Sequence, residues 1–567
     1  MQQSKGVGVV IKLRRYLYRY WYLVIVGIVA IYFQVQCDLT LPQYMTKIVN
    51  EGVIGGNRSA IWENGGIMLG YALISVALTV LAGYIGAKTA SLYARDLRKD
   101  IYGKVSSFSL EEMHQFQTSS LITRTTNDVQ QIQMLLVFLL RFGVSAPVTV
   151  FGAITRINHA APAMTSIIAI SVSILVVAIT LIFLVAIPKF KKIQEAIDQI
   201  NLVVRENLTG IRVVRAYSAE GYEKHKFNKA NKHLTRIALF VNRLVNVMPA
   251  IMLMTMNGTI LAIYWFGAHL INQGQLDGGI GTIMAFMSYG MQILFAFIMA
   301  VMLFVMNPRA SVSSKRIKEV LNTKTSIADP IQPQALGSEP QVEFKHVFFR
   351  YPNAEADMLH DISFVAKKGQ MTALIGSTGS GKSTAIGLIP RFYDATQGEV
   401  LVNGTNVKDL TQETLRQQIG YVPQKGVLFT GSVRFNLEIG KEDATEEELQ
   451  DALQKAEAKS FVDQMDHATD AHISQGGQNV SGGQKQRLSI ARAIVRQPNI
   501  YIFDDSFSAL DFQTDLKLRR NLKQVMEKAV FIVVAQRIST ILNADQIIVL
   551  DNGRIVGKGT HKTLLAT

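Results

Sequence analysis

The sequence predicts a protein in two parts, an all-α membrane part with six spanning helices followed by an α/β domain. Two observations lead to this fold class. Most of the long apolar stretches lie before about residue 310, and strand-like runs alternate with helical ones after Gln341. A chain of 567 residues is also too long for one hydrophobic core. We therefore place a membrane part at 1–323, a polar, proline-containing linker at 324–340 and an α/β domain at 341–567.

Composition narrows the class of partner. The formal net charge is +15, and the basic residues cluster beside the apolar segments. That distribution indicates contact with membrane lipid and argues against a nucleic-acid ligand. Cys37 is the only cysteine, which excludes an intrachain disulfide and a thiolate-rich metal site. The first apolar segment is long and no small-residue cleavage site follows it, so we expect it to be retained.

The membrane part begins with residues 7–21, whose mixed basic and aromatic side chains predict an amphipathic helix in the membrane interface. Six apolar segments follow, each long enough to cross about 30 Å of hydrocarbon. They lie near residues 22–46, 65–88, 134–155, 163–187, 246–271 and 280–306.

The connections between these segments predict the topology. Those after the second and fourth segments are long and rich in Lys and Arg, whereas the others are short and carry few basic residues. The positive-inside rule then places both long loops and both termini in the cytoplasm, in a multi-pass protein of the plasma membrane. Helical periodicity in the long loops predicts rods that carry the membrane helices into the cytosol. The alternative is a pair of amphipathic helices lying on the bilayer surface.

The clearest chemical signal is the stretch GSTGSGKST, which matches the phosphate-loop pattern G-x-x-x-x-G-K-[ST]. The apolar run 371–375 predicts a strand that enters the loop, and 384–393 predicts a helix that leaves it. Glycines let backbone N–H groups point at phosphates, and the helix start adds partial positive charge. We expect Lys382 to reach the β- and γ-phosphates of ATP and Ser383 to ligate Mg²⁺. The predicted ATP-binding residues of this loop are Gly376, Ser377, Thr378, Gly379, Ser380, Gly381, Lys382, Ser383 and Thr384.

Other polar residues follow predicted strand ends. Asp504 follows the apolar run 500–503 and suits a role in holding Mg²⁺ or its water. Gln424 follows another strand and could contact both the metal and the γ-phosphate. Tyr351 lies ahead of the phosphate loop and could stack on adenine, although a lone tyrosine is more often structural. A second glycine-rich stretch at a helix start consists of Ser481, Gly482, Gly483 and Gln484.

The order and spacing of these motifs resemble those of an ATP-binding-cassette (ABC) ATPase. The motifs that carry the resemblance are the phosphate loop, Gln424, SGGQ, IYIFDD and the pair Ser508 and Asp511. With its six apolar segments and two long loops, the whole chain resembles a half-transporter of the ABC exporter family. The resemblance implies two cassettes that close head to tail, with each ATP between the phosphate loop of one chain and SGGQ of the other. It also implies short coupling helices at the loop tips, near 116–121 and 215–220.

Two positions depart from the family pattern. Where the family usually has a glutamate as general base this chain has Asp505, and where it usually has a switch histidine this chain has Gln536. Aspartate is one methylene shorter, which withdraws the carboxylate by about 1.5 Å, and a misplacement of about 1 Å can cost on the order of a hundredfold in rate. Glutamine cannot become a cation, so the transition state loses a possible stabiliser. Hydrolysis at this site is therefore predicted to be impaired, whereas ATP binding is intact. A nearby difference, Gln475 where exporters commonly place glutamate, either alters coupling or reflects drift.

Two impaired sites would make a poor pump, so we expect a heterodimer whose other half-transporter carries the glutamate and the histidine. The chain in this respect resembles the degenerate-site subunit of bacterial heterodimeric multidrug exporters. One alternative is a homodimer in which Asp505 works adequately, such as a lipid or glycolipid flippase. Another is a weakly hydrolysing, ATP-dependent regulatory membrane protein.

Methionine and phenylalanine are abundant in the last two apolar segments, which hold ten of the 20 methionines. These side chains make adaptable apolar surfaces, although helix packing or lipid contact is the plainer interpretation of any single one. Asp38 and Arg141 are charged groups within apolar segments, and such groups usually face a cavity or a partner. The candidate residues of a cavity for an amphipathic small molecule are Asp38, Met252, Met256, Phe286, Met287, Met291 and Phe295.

Overall fold

The computed structural model describes residues 14–160, 162–274, 279–352 and 354–566. In this part of the chain, six helical spans are long and apolar enough to cross a membrane, and an α/β domain follows them. The predicted fold class is confirmed. The spans, called here the first to sixth long helices, are Trp21–Ile54, Arg58–Ser106, Thr118–His159, Met164–Thr209, Glu220–Asn272 and Gly279–Asn322.

The interfacial helix predicted at 7–21 is described only in part. Residues 7–13 lie outside the described residues, Arg14–Tyr18 is helical, and the first long helix begins at Trp21. Two of the long helices contain π-helical stretches, Ile48–Ile54 in the first and Arg124–Asp128 in the third.

The long helices continue well past their apolar segments. The second runs for 49 residues, Arg58–Ser106, without a proline, which corresponds to about 74 Å at 1.5 Å per residue. The fourth and fifth are of similar length, and each has an internal proline, Pro188 and Pro249 respectively. Buried apolar side chains from several of these helices, among them Leu39 and Ile293, form the core of the membrane part.

The end of the first long helix lies against the start of the sixth. The Thr46 hydroxyl donates to the carbonyl of Gly281 at 3.0 Å, and the Gly281 N–H donates to Oδ1 of Asn50 at 3.0 Å. A Cβ at position 281 would lie 2.7 Å from both Oδ1 of Asn50 and the Thr46 carbonyl oxygen. This approach of backbone to backbone therefore requires glycine.

The chain divides into two compact units. One comprises the residues up to Lys104 with Ser119–Asn322, and the other comprises Val105–Thr118 with the residues from Thr323 onward. The segment Val105–Thr118 thus differs from the sequence-based boundaries, which count it with the membrane part. Its helix Leu110–Phe116 starts with a capping box between Ser109 and Glu112.

Glu112 ties this segment to the rest of its unit. The carboxylate accepts hydrogen bonds from the N–H and the hydroxyl of Ser109 at 2.8 and 2.7 Å, and from the N–H of Ser326 at 2.9 Å. Burial raises the pKa of this carboxyl, but the bonds from Ser109 and Ser326 outweigh it, and the net pKa lies below the ordinary value. The short helix Ile211–Ala216 overlaps the second predicted loop tip, 215–220, only at its last two residues.

The α/β domain is built on two main sheets. The strands are β1 Gln341–Phe349, β2 Leu359–Lys367, β3 Met371–Gly376, β4 Gln397–Val402, β5 Thr405–Asn406, β6 Ile419–Val422, β7 Gly431–Ser432, β8 His472–Ile473, β9 Ile500–Asp504, β10 Val530–Val534, β11 Gln546–Asp551 and β12 Arg554–Gly559. A six-stranded sheet has the order β12-β11-β3-β10-β9-β6 and is parallel except for the β11–β12 pair. An antiparallel sheet has the order β2-β1-β4-β5, and β7 pairs with β8.

Helices cover the six-stranded sheet and complete two apolar cores. The longer ones are Glu446–Lys455, Gly482–Val495 and Phe512–Met526, and the shorter ones are Lys382–Leu388, Gln412–Gln417, Val433–Glu438, Lys459–Val462, Ile538–Ile541 and His561–Leu565. The central strands β9 and β10 are buried along their whole length, as expected for parallel strands covered on both faces. This arrangement fixes the edge of the sheet at which the strands end.

Candidate nucleotide site and membrane cleft

Four parallel strands bring the predicted nucleotide residues to one edge of the sheet. Strand β3 ends at Gly376 and β9 at Asp504, Gln424 lies two residues beyond β6, and Gln536 lies two residues beyond β10. In open parallel sheets ligands bind beyond the carboxyl ends of the strands. The fold therefore gathers residues that are up to 160 positions apart in sequence, from 376 to 536.

The phosphate loop depends on backbone conformations that favour glycine. Gly376, Gly379 and Gly381 have φ values of 151°, 87° and 97°. A Cβ at Gly376 would lie 2.1 Å from the Leu550 carbonyl oxygen, so the loop must also pass close to β11. The helix Lys382–Leu388 begins directly after Gly381.

Lys382 lies within this loop and is 7% exposed. Its ammonium donates to the carbonyl oxygens of Gly376 at 2.9 Å and Ser377 at 2.7 Å, and to the Ser380 hydroxyl at 3.3 Å. Burial lowers the pKa of Lys382, and the nearby charges of Asp504 and Asp505 oppose that shift. The loop thus holds a buried cation that is oriented by its own carbonyl groups.

Asp504 lies among other polar groups of the site. Its Oδ1 accepts a hydrogen bond from the Ser383 hydroxyl at 2.9 Å, and the Tyr421 side chain of β6 lies beside the carboxylate. Burial raises the pKa of Asp504 and the charge of Asp505 raises it further, whereas Ser383 and Tyr421 lower it. Hydroxyl and carboxylate oxygens held this way are the hard ligands that Mg²⁺ prefers.

Asp505 is held in an unusual backbone conformation. Its φ is 45°, in the left-handed region, and its N–H donates to the Val534 carbonyl at 3.0 Å. The side chain is 8% exposed, and its Oδ2 accepts a hydrogen bond from Nε2 of Gln424 at 3.3 Å. The Ser508 hydroxyl donates to the Asp505 carbonyl at 2.8 Å. Backbone and side chain are therefore both fixed at the end of β9.

Gln536 is exposed and lines a small cleft of about 330 Å³ with Gly376, Ser377 and Thr378. The next residue, Arg537, donates to the Ser508 carbonyl at 2.9 Å. Asp511 caps the helix Phe512–Met526 by accepting from the Thr514 N–H at 2.9 Å, and the side chain of Thr514, together with this N–H, lowers the pKa of Asp511.

Tyr351 lies beside the phosphate loop, and its side chain already contacts other residues of this chain. Its hydroxyl hydrogen-bonds with Oγ1 of Thr384 at 2.9 Å, and its ring packs edge-on against Phe349 and Tyr393. Stacking on adenine stays a prediction for this residue.

The SGGQ stretch opens the helix Gly482–Val495. Ser481 and Gln484 form a capping box, in which the Ser481 hydroxyl accepts from the Gln484 N–H at 3.3 Å and Oε1 of Gln484 accepts from the Ser481 N–H at 2.8 Å. In the part of the chain that the structure describes, a Cβ at Gly482 would meet nothing within 4 Å, and one at Gly483 would lie at 3.4 Å from the Ala509 carbonyl. Packing against these residues does not require glycine at 482.

Two family models cover most of the chain. Residues 24–314 match the ABC transporter transmembrane region, and residues 359–508 match the ABC transporter model. An uncharacterized ABC transporter ATP-binding protein of Mycobacterium tuberculosis is 43% identical over 93% of this chain and 91% of its own length. The chain belongs to the ABC transporter family.

Other known proteins are similar to this ABC transporter. A probable multidrug resistance ABC transporter ATP-binding/permease protein of Bacillus subtilis is 31% identical over 84% of this chain and 81% of its own length. A solved structure of a bacterial Atm1-family ABC exporter with ATP bound superposes with a TM-score of 0.79 over 98% of this chain and 96% of that one, at 24% identity. The fold is therefore that of an ABC exporter half-transporter, with an ABC ATPase domain fused to the membrane part.

The membrane part of this ABC transporter contains a cleft of about 800 Å³. Asp38, Arg141, Met291 and Phe295 all line it, so the structure brings together four of the residues singled out in the sequence. Polar lining comes from Gln34, Ser145, Thr149, Ser288 and Gln292.

Four other candidate cavity residues do not line this cleft. Phe286 is 2% exposed and belongs to the core of the membrane part, and Met287 packs against that core. Met252 and Met256 pack against a second apolar cluster that includes Leu175. These four are placed by helix packing, the plainer interpretation for a methionine or phenylalanine in a helix bundle.

Sequence reasoning missed two residues of the nucleotide site. Tyr421 reaches Asp504 from β6, and Arg537 holds the Ser508 carbonyl. Tyr421 could have been noticed because it lies three positions before Gln424, on the strand that carries Gln424 to the same edge. The contact of Arg537 depends on where the loop after β9 runs, which no sequence pattern indicates.

Proposed function

We propose that this chain is one half of a heterodimeric exporter that uses ATP to move amphipathic drugs or xenobiotics out across the plasma membrane, and that it carries the weaker of two ATP sites. Both termini and both long loops would lie in the cytoplasm. The resemblance to a relative named as a probable multidrug resistance transporter supports this substrate class. The cleft, with charged groups among methionines, is consistent with it.

The observation that carries the proposal is the position of Asp505. Its carboxylate is one methylene closer to the backbone than a glutamate carboxylate would be, and Gln424 and the Asp505 backbone hold it there. A general base must come within hydrogen-bond reach of the attacking water, and a shortfall of about 1 Å can cost on the order of a hundredfold. Gln536 adds a second loss, since it supplies no cation to the developing charge.

Nucleotide binding, in contrast, has every residue it needs. Lys382 and the backbone N–H groups of the loop suit the phosphates, and the oxygen atoms of Ser383, Asp504 and Gln424 suit Mg²⁺. When bound, Mg²⁺ with ATP supplies the phosphoryl group and the charge compensation for its transfer. In this chain the Ser383 hydroxyl donates to Asp504, Tyr421 lies beside that carboxylate, and Gln424 donates to Asp505.

The SGGQ stretch supports a role at the second site. Gly482 has open space where a Cβ would be, and the capping box already satisfies the Ser481 N–H and the Gln484 N–H. The family resemblance implies that a partner's nucleotide approaches here. The half-transporter would thus bind one ATP that it hydrolyses slowly. Its SGGQ stretch would complete the hydrolytically competent ATP site of its partner.

The test is co-purification. The tagged chain is solubilised gently from its native membrane and its companions are identified by mass spectrometry. We expect a second half-transporter in equal amount, with glutamate and histidine at the positions of Asp505 and Gln536, and drug-stimulated ATPase activity of the pair. Recovery of this chain alone, as a dimer with substantial ATPase activity, would overturn the heterodimer and favour a homodimeric flippase. Absence of turnover with any partner would indicate a regulatory protein.

A further inference from the structure

The membrane cleft contains two opposite charges that do not neutralise each other. Asp38 of the first long helix and Arg141 of the third both line it. Among the residues that the structure describes, neither forms an ion pair. Asp38 accepts hydrogen bonds from the Ser75 hydroxyl and, at 3.5 Å, from Nε2 of Gln34. Arg141 is exposed, and its guanidinium lies 5.3 Å from the ring centre of Phe142.

Charges of this kind are costly to keep in a membrane-spanning segment. An ionisable side chain there usually faces a cavity and takes part in function, because unpaired charge in an apolar medium is unfavourable. Neutral hydrogen bonds from Ser75 and Gln34 orient the Asp38 carboxylate but supply no counter-charge. The cleft thus offers one anionic and one cationic position to a ligand.

The remaining lining suits an apolar body of variable shape. It includes six flexible or aromatic side chains, Met45, Met68, Met284, Met291, Met299 and Phe295. Thioether side chains adapt to different apolar shapes and contact aromatic rings favourably. The volume of about 800 Å³ lies within the range of roughly 300–1,000 Å³ that is usual for drug-sized ligands.

We propose that this cleft selects zwitterionic amphipaths, molecules with an ammonium group for Asp38, a carboxylate or phosphate for Arg141, and an apolar body for the methionines. The inference rests on the proposed export function and names its substrate class more narrowly. A cation alone would leave Arg141 without a partner, and an anion alone would leave Asp38 without one. A zwitterion satisfies both, and charge-assisted hydrogen bonds are the stronger kind.

The test uses the full chain in nanodiscs, with its partner where one co-purifies, and three matched fluorescent probes. The first carries an ammonium and a carboxylate on an apolar body, the second is its methyl ester, and the third is its N-acetyl derivative. Dissociation constants are measured by fluorescence polarisation. We expect the zwitterion to bind roughly tenfold or more tightly than either singly charged probe.

Two substitutions assign each charge. Asp38→Asn should weaken the zwitterion and the ester by roughly tenfold and leave the N-acetyl probe unchanged, and Arg141→Gln should weaken the zwitterion and the N-acetyl probe instead. Glu63→Gln and Arg156→Gln are the controls, since each removes a charge from a long helix outside the cleft lining. ATP binding by each variant shows that its α/β domain is folded, and unchanged binding of the probe that lacks the affected charge shows that its membrane part is folded.

The outcomes separate the two proposals. Equal affinity for the ester and the zwitterion, or no effect of Arg141→Gln, would overturn the zwitterion inference and leave the export function standing. Zwitterion-selective binding without any stimulation of ATPase activity in the pair would count against export but support the inference. A short-chain zwitterionic phospholipid serves as competitor. Displacement of the probe at comparable concentration identifies the ligand source as a lipid headgroup, and absence of displacement identifies a free small molecule.

Discussion

Nε2 of Gln424 donates to Oδ2 of Asp505 across 3.3 Å, and this bond links the ends of β6 and β9 within the nucleotide site. In an ABC ATPase, the glutamine is expected to sense the metal and the γ-phosphate, and the acid is expected to activate water. The bond commits the amide of one to the carboxylate of the other. The geometry of the site therefore depends on the length of the acidic side chain.

Restoring the family residues should raise hydrolysis. We expect Asp505→Glu combined with Gln536→His to increase the ATPase rate of the purified chain by about tenfold or more, since the first extends the base and the second adds a group that can be a cation. Steady-state phosphate release measures it. The same double variant with Asp504→Asn is the control and should lose the gain. An unchanged rate would mean that base and switch positions do not limit turnover.

Removal of the Tyr421 hydroxyl should weaken metal binding specifically. Because Tyr421 lies beside Asp504 and lowers its pKa, we expect Tyr421→Phe to raise the Mg²⁺ concentration for half-maximal ATP binding about severalfold, while ATP affinity in EDTA stays the same. A fluorescent ATP analogue gives both values. Tyr501→Phe is the matched control, since Tyr501 is buried on β9 near Asp504. An equal loss with and without Mg²⁺ would show a purely structural role.

The charge of Glu112 should stabilise the position of Val105–Thr118 in its unit. We expect Glu112→Gln to reduce hydrogen-exchange protection of the Ser109 and Ser326 amides by about 1–3 kcal/mol, because both donate to this carboxylate. Glu111→Gln is the control in the same helical turn.

The pH dependence of this contact has a definite sign. The pKa of Glu112 in the folded protein lies below its ordinary value of 4.5. The stabilisation that the Glu112 carboxylate gives to the folded state is therefore fully present above pH 4.5 and is lost as the pH falls through the lower folded pKa. Protection of the Ser326 amide should therefore decline in that acidic window in the wild type and stay flat in Glu112→Gln. The same decline in both proteins would exclude Glu112 as its source.

A methyl group at position 482 should impair the ATP site that this chain completes for its partner and leave its own ATP site unaffected. Since no described residue packs within 4 Å of such a Cβ, we expect Gly482→Ala to leave ATP binding by the lone chain unchanged and to reduce turnover of the assembled pair at least several-fold. Gly103→Ala, also in open space, is the control. Full turnover by the Gly482→Ala pair would argue against approach of a nucleotide to SGGQ.

The contact between the first and sixth long helices should be sensitive to one methyl group. Gly281→Ala places a Cβ 2.7 Å from two oxygen atoms, and we expect it to destabilise the full chain by about 1–3 kcal/mol. Gly258→Ala, with open space in the fifth long helix, should be neutral or slightly stabilising. Thermal unfolding in nanodiscs compares them, and equal melting temperatures would mean that the two helix ends separate readily.

The features predicted best from sequence were those that a local pattern determines. Six apolar segments gave six long helices, and the phosphate-loop pattern gave the turn at Gly376–Gly381. The sequence pattern does not predict strand β2, because polar residues interrupt its apolar run. The strand is instead stabilised by its pairing with β1. Strand β12 is similarly exposed along alternate positions and depends on β11.

The contacts of single side chains could not be predicted, since they depend on long-range packing. The rarity of charge in apolar segments indicates a cavity position for Asp38 and Arg141, and both line the cleft. Residue type alone predicts Phe286 and Met252 as cavity residues, and type does not tell which face of a helix is buried. The left-handed conformation of Asp505 arises from its bond to Val534 on a neighbouring strand, to which no local pattern points.

The uninterrupted helix Arg58–Ser106 has a mechanical consequence. A rod of about 74 Å that turns by roughly 5° about one end moves its other end by about 6 Å, more than one helical turn. The fourth and fifth long helices can absorb part of such a rotation by bending at Pro188 and Pro249, since an internal proline removes a backbone hydrogen bond. The second has no such bending point. We expect the second long helix to convert a small rotation at one end into a larger displacement at the other, whereas the fourth and fifth long helices bend at their prolines.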